Sequence, residues 1–173
     1  MDTREILTDA SRRPLYTAAV LLKGIGAETL NAHPAPGANS ISWLVWHAAR
    51  QMDVQLAELT GRPTVWERDG WAQKLGVDRG PDDFGFGDGP EQVAALRIED
   101  SAALEALLVA CVEELVAYVD TLSPEDLDEV IDDRWDPPVT RGVRIVSIID
   151  DAVVHLGQAS YARGLLEGWK LGV

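Results

Sequence analysis

Asp151 and His155 stand four residues apart in the segment Ile149-Asp-Asp-Ala-Val-Val-His-Leu-Gly-Gln158. In a helix, side chains at i and i+4 share one face, so a carboxylate and an imidazole at this spacing could grip one divalent ion. His47, another of the three histidines, lies in a second apolar segment, Ile41-Ser-Trp-Leu-Val-Trp-His-Ala-Ala-Arg50. If the two segments are facing helices, His47, Asp151 and His155 make a set of two imidazoles and one carboxylate. Three protein ligands with open positions are the pattern of a catalytic metal, whereas structural zinc is usually closed by four. A carboxylate–imidazole hydrogen-bond network would satisfy the same buried polar groups without a metal. Spacing alone leaves both readings open. Asp150 is the weaker candidate, because at i+5 from His155 it points off the seam.

Four long helical segments are expected to position these groups. The first covers roughly residues 2–28, with Pro14 starting a turn or kinking it. Its apolar stripe is Leu15, Ala18, Ala19, Leu22 and Ile25. After the breaker-rich loop His33-Pro-Ala-Pro-Gly-Ala38, Asn39 or Ser40 offers an N-cap for a second helix ending near Thr60. A short helix is expected over about residues 65–75. The stretch Gly76–Pro90, with five glycines and two prolines, reads as a crossover or a lid. The third helix, about residues 101–122, presents Leu104, Leu107, Leu108, Cys111, Leu115 and Val119. Residues 129–136 are ambiguous between strand and loop, and the fourth helix spans about 143–167. Two helices, a long connection and two more helices predict an all-α, four-helix bundle with a crossover between helices two and three, as a single domain over residues 1–173.

Bulk composition narrows the partners. Fifteen basic against twenty-nine acidic side chains give a net charge of −14. Such acidity argues against a nucleic-acid partner and against docking on an anionic membrane. No apolar run reaches the length of a membrane span. The N-terminal residues lack the basic and apolar regions of a secretory leader, so cytoplasmic residence is the expectation. Cys111 is the only cysteine, which excludes an internal disulfide, and its Leu- and Val-rich helix face makes it a small core hydrophobe. A monomer or a homodimer fits equally.

Other residues carry weaker signals. Gln158 extends the Asp151–His155 seam at i+7, and Trp43 and Gln51 share the face of His47. Trp71 in Asp69-Gly-Trp71 and Trp135 in Arg134-Trp-Asp-Pro-Pro138 lie in connections, where they either pack or wall a ligand pocket. Arg163 either binds a ligand anion or forms an ion pair. Ser147 and Ser160 lack the context of a nucleophile elbow, and Gly85-Phe-Gly87 lacks that of a phosphate loop.

Asn39-Ser-Ile-Ser-Trp-Leu-Val-Trp-His47 and Asp150-Asp-Ala-Val-Val-His-Leu-Gly-Gln-Ala-Ser-Tyr-Ala-Arg-Gly164 resemble the DinB-like superfamily. Asp69-Gly-Trp71 and Trp135-Asp-Pro-Pro138 look like its actinobacterial branch related to mycothiol-dependent maleylpyruvate isomerase and mycothiol S-transferases. The resemblance implies a four-helix bundle and a divalent metal, usually zinc, held at His47, Asp151 and His155. Many DinB-like proteins place histidine at the middle position. Asp151 departs from that version and matches the carboxylate of the mycothiol-isomerase version. The implied chemistry is thiol activation, with mycothiol or a related low-molecular-weight thiol as co-substrate, because the chain's one cysteine lies outside the pattern. Gln158, Arg163, Trp43 and Trp71 become candidates for holding the thiol or the substrate.

The leading expectation is thus a metal-dependent thiol S-transferase joining mycothiol to an electrophilic small molecule. A mycothiol-dependent isomerase and a metal-dependent hydrolase would use the same site. A non-catalytic, metal-stabilised bundle that binds a small molecule is the third possibility.

Overall fold

The computed structural model describes residues 2–172, and four long helices dominate it. Helix α1 (Thr3–Leu22) is followed by the short α2 (Ala27–Asn31) and by α3 (Ile41–Thr60). Two short helices, α4 (Val65–Arg68) and α5 (Trp71–Leu75), lead into the crossover. Helix α6 (Pro90–Ala95) then precedes α7 (Ser101–Val119) and the single turn α8 (Pro124–Leu127). Strands β1 (Val130–Asp132) and β2 (Val139–Thr140) pair antiparallel, Val130 opposite Thr140, before α9 (Arg141–Glu167). Helix α3 packs against α7 and α9, and α1 packs against the same two, so α1 and α3 lie on one diagonal of the bundle. The all-α bundle with its crossover is therefore as the residue pattern predicts. Among the described residues, no helix is long and apolar enough to cross a membrane.

Local chemistry sets the boundaries. The hydroxyl of Ser40 accepts from the Trp43 amide and starts α3, and Gly61 closes it in the left-handed region. Thr140 caps α9 through the Val143 amide, two residues earlier than expected. The first helix ends at Leu22 rather than near residue 28, because Gly24 takes φ +67° and turns the chain. Pro14 sits inside α1 without ending it. The expected helix over 65–75 divides at Gly70, which is also left-handed. The ambiguous 129–136 segment supplies β1 and the hairpin connection.

The predicted face of α7 is buried throughout, Cys111 included. Ala18 and Leu22 on α1, and Ile25 just beyond its end, are buried as expected, but Ala19 faces solvent. Arg50 on α3 has no exposed surface at all. Its guanidinium bonds the Asp53 carboxylate and the Pro81 carbonyl, reaches the Asp83 carbonyl at 3.3 Å, and lies over the Trp66 ring. Arg79 makes a second fastening, pairing with Asp83 and Asp88 and donating to the Gln92 carbonyl. The crossover is thereby tied down on α3, the helix that carries His47.

Candidate metal centre

His47 on α3 and Asp151 and His155 on α9 come together as the facing-helix argument requires. One donor atom from each lies within 4.8 Å of those of the other two. The Asp151 Oδ2 atom is 3.8 Å from His47 Nε2 and 3.5 Å from His155 Nδ1, beyond hydrogen-bond length in both cases. It is buried, and among the described residues no hydrogen-bond donor reaches it. A buried carboxylate oxygen without a donor is costly unless a cation satisfies it.

The hydrogen bonds of the two rings fix their tautomers in a compatible way. His47 Nδ1 lies 2.5 Å from the Phe84 carbonyl, and His155 Nδ1 lies 2.8 Å from the carbonyl of Asp151. Carbonyls only accept, so both Nδ1 atoms carry the proton and both Nε2 atoms keep a lone pair. A ring anchored in this way through its distal nitrogen is the usual support of a metal-bound histidine. The ring of Trp43 stacks on His47 with 4.7 Å between centroids and 5° between planes, which limits its rotation. The Trp43 Nε1–H donates to Asp88, which Arg79 holds in turn. Burial pushes the His47 pKa below its ordinary value, with the nearby His155 adding to the effect against the opposing pull of the Phe84 carbonyl and Asp151. The neutral ring, the form that binds metal, is favoured. Two imidazoles anchored through Nδ1 and an unsatisfied carboxylate oxygen suit a divalent ion of the zinc class.

The crossover completes the site. Gly85 has φ +82°, and a Cβ there would stand 2.9 Å from the Trp43 side chain and 3.0 Å from that of Trp46. The backbone therefore presses directly on α3, which brings the Phe84 carbonyl to His47. A cavity of about 360 Å³ opens beside the cluster, lined by His47, Gln51, Asp151, Phe84, Phe86 and Arg144 among others. Another, of about 610 Å³, lies between the 33–39 loop and α6 and touches none of the three candidate ligands.

The remaining candidates are placed differently. Gln158 is exposed on α9 and does not line the cavity at His47. Arg163 is buried, but its guanidinium bonds the Leu21 and Lys23 carbonyls and the Glu167 carboxylate, which ties α9 to the end of α1. Trp71 belongs to the apolar core, with Lys74 over its ring. Trp135 is exposed beside the hairpin. Of the proposed cofactor-holding residues, only Trp43 touches a candidate metal ligand. The sequence reading missed Arg50, Arg79, Phe84 and Arg144. Arg50 alone carried a signal, as the one cation of α3, a turn from His47 at the end of the apolar run 41–49.

The DinB superfamily matches residues 14–159 of the chain. The crystal structure of a conserved protein from Enterococcus faecalis is similar to it, with 34% identity and a TM-score of 0.88, over 98% of this chain and 99% of that one. No curated protein matches the chain.

Proposed function

This chain belongs to the DinB superfamily, and we propose that it is a metal-dependent thiol S-transferase that joins mycothiol, or a related low-molecular-weight thiol, to an electrophilic small molecule. The observation that carries this reading is the buried, donorless Oδ2 of Asp151 facing two imidazoles whose Nε2 atoms keep their lone pairs. The donor set of His47, Asp151 and His155 fits zinc. When bound there, zinc lowers the pKa of a thiol that reaches it and so supplies a nucleophile near neutral pH.

The chain's own residues prepare that step. His47 and His155 are held in orientation, because each donates its Nδ1 proton to a carbonyl. Trp43 covers one face of His47 and limits its rotation. Phe84 and Phe86 wall the cavity and suit the apolar body of an electrophile. The protein offers no competing thiol: Cys111 is buried, and desolvation drives its pKa well up. For an alkyl or aryl halide, a carbon–sulfur bond forms, the carbon–halogen bond breaks, halide departs and the thiol proton passes to solvent.

The test is incubation of zinc-loaded protein with mycothiol and monochlorobimane, with the conjugate followed by fluorescence and mass spectrometry. Conjugate should form with the wild type and with Cys111→Ala, and should fall to the uncatalysed rate with His155→Ala. Conjugation that survives His155→Ala but vanishes with Cys111→Ala would place the nucleophile on the protein and overturn the reading.

A further inference from the structure

The cavity beside the cluster continues away from it. A second cavity of about 420 Å³ lies between α3, the β1–β2 hairpin and the start of α9. The two share Gln55, Glu58 and Arg144 on their walls, so the space at Asp151 and the space at the hairpin adjoin. Arg144 precedes Asp151 by seven residues on α9. That is two turns along the same face, roughly 10 Å at 1.5 Å per residue.

The arginines of this second space differ in what they have left to give. Arg141 bonds the Asp126 carbonyl, the Tyr118 hydroxyl and Glu129. Arg134 takes both oxygens of Asp132, each at 2.8 Å. Among the described residues, Arg144 has only a loose pairing, 3.7 Å from that same Asp132, whose oxygens Arg134 already occupies. Its side chain is 23% exposed, and its guanidinium donors are not spent on the protein. A planar donor fork in a partly enclosed space is a receptor for a carboxylate.

We propose that Arg144 is an anion subsite that receives the carboxylate of an extended organic ligand whose other end lies at the His47–Asp151–His155 cluster. The assignment rests on the thiol-activating reading of that cluster and adds a substrate class to it: a monocarboxylate. Glu58 and Asp133 line the same space and repel a ligand with further negative charges.

Cobalt-loaded protein provides the test, because a thiol that reaches the metal gives a thiolate-to-cobalt charge-transfer band. The probes are 3-mercaptopropionate and 6-mercaptohexanoate, each against the matching mercaptoalcohol. With the wild type, the carboxylate should improve affinity roughly tenfold for the long chain, as expected of a charged hydrogen bond, and not for the short one. Arg144→Gln should erase that advantage while leaving the mercaptoalcohol affinities and the circular dichroism unchanged, and Arg144→Lys should restore part of it. Titration of hexanoate, the sulfur-free analogue of 6-mercaptohexanoate, onto protein already saturated with 2-mercaptoethanol separates the two sources of the carboxylate. Arginine-dependent binding there assigns it to the electrophile; binding only when the carboxylate is joined to sulfur assigns it to the thiol. Bands with every thiol but no carboxylate advantage, or an advantage that persists in Arg144→Gln, overturn the subsite and leave the thiol reading standing. No band with any thiol removes the thiol reading, and the subsite with it.

Discussion

His47 Nδ1 and the carbonyl oxygen of Phe84 lie 2.5 Å apart, so a residue of the crossover holds the tautomer of a ring on α3. That contact depends on Gly85, whose missing Cβ lets the crossover lie against Trp43 and Trp46. Gly85→Val should lift the crossover and release the His47 ring. Losing an outer-shell partner of this kind typically costs 10–100-fold in metal affinity. Chelator competition should show a loss of about tenfold or more for zinc, with helix content retained; unchanged affinity would mean that His47 orientation does not depend on the crossover.

Metal content should follow the three candidate ligands. The purified protein should hold about one divalent ion per chain, and His47→Ala or His155→Ala should each remove most of it by elemental analysis. Asp151→Asn should weaken binding and leave the fold intact, since it replaces an anionic donor by a neutral one and gives the pocket an amide. Full occupancy in a His47→Ala, His155→Ala double variant would locate the metal elsewhere.

Metal-free stability should depend on pH through His47. Its folded pKa is lowered, chiefly by burial. As pH falls through about 6.5, the unfolded chain takes up a proton that the folded chain refuses. Stability is therefore complete above that pH and declines below it, until the depressed folded pKa is reached. Urea midpoints at pH 7.5 and 5.5 should differ more for the wild type than for His47→Gln. Equal differences would show that His47 does not titrate anomalously.

Arg50 should prove structural and costly to remove. Arg50→Met leaves the Asp53 carboxylate buried with only the Val65 and Trp66 amides as donors, and frees the Pro81 and Asp83 carbonyls. Breaking a buried pair by removing one partner costs about 3–5 kcal/mol, and denaturant unfolding should register a loss of that order. A loss below about 1 kcal/mol would mean that the pair behaves as an exposed one.

The bundle was legible because its long helices announce themselves locally, in the Leu-rich face of α7 and in the hydroxyl cap at Ser40, whereas the Thr140 cap that starts α9 was not read. The cluster was legible because two of its members share a helix at i and i+4. What lies between elements was not. Whether Arg163 meets a ligand or the end of α1 depends on where α1 stops, and that is set by a glycine in the left-handed region. The open space at Asp151 runs toward Arg144 rather than toward Gln158, since it depends on how α9 meets the hairpin. Helical periodicity puts both directions on the same seam.

The claim that His47, Asp151 and His155 hold a thiol-activating metal is tested most directly at the zinc K-edge. X-ray absorption of the zinc-loaded protein should show only nitrogen and oxygen neighbours at about 2.0–2.2 Å. Adding mycothiol should bring in one sulfur neighbour near ~2.3 Å, in the wild type and in Cys111→Ala alike. A first shell that stays free of sulfur at saturating mycothiol would contradict the account.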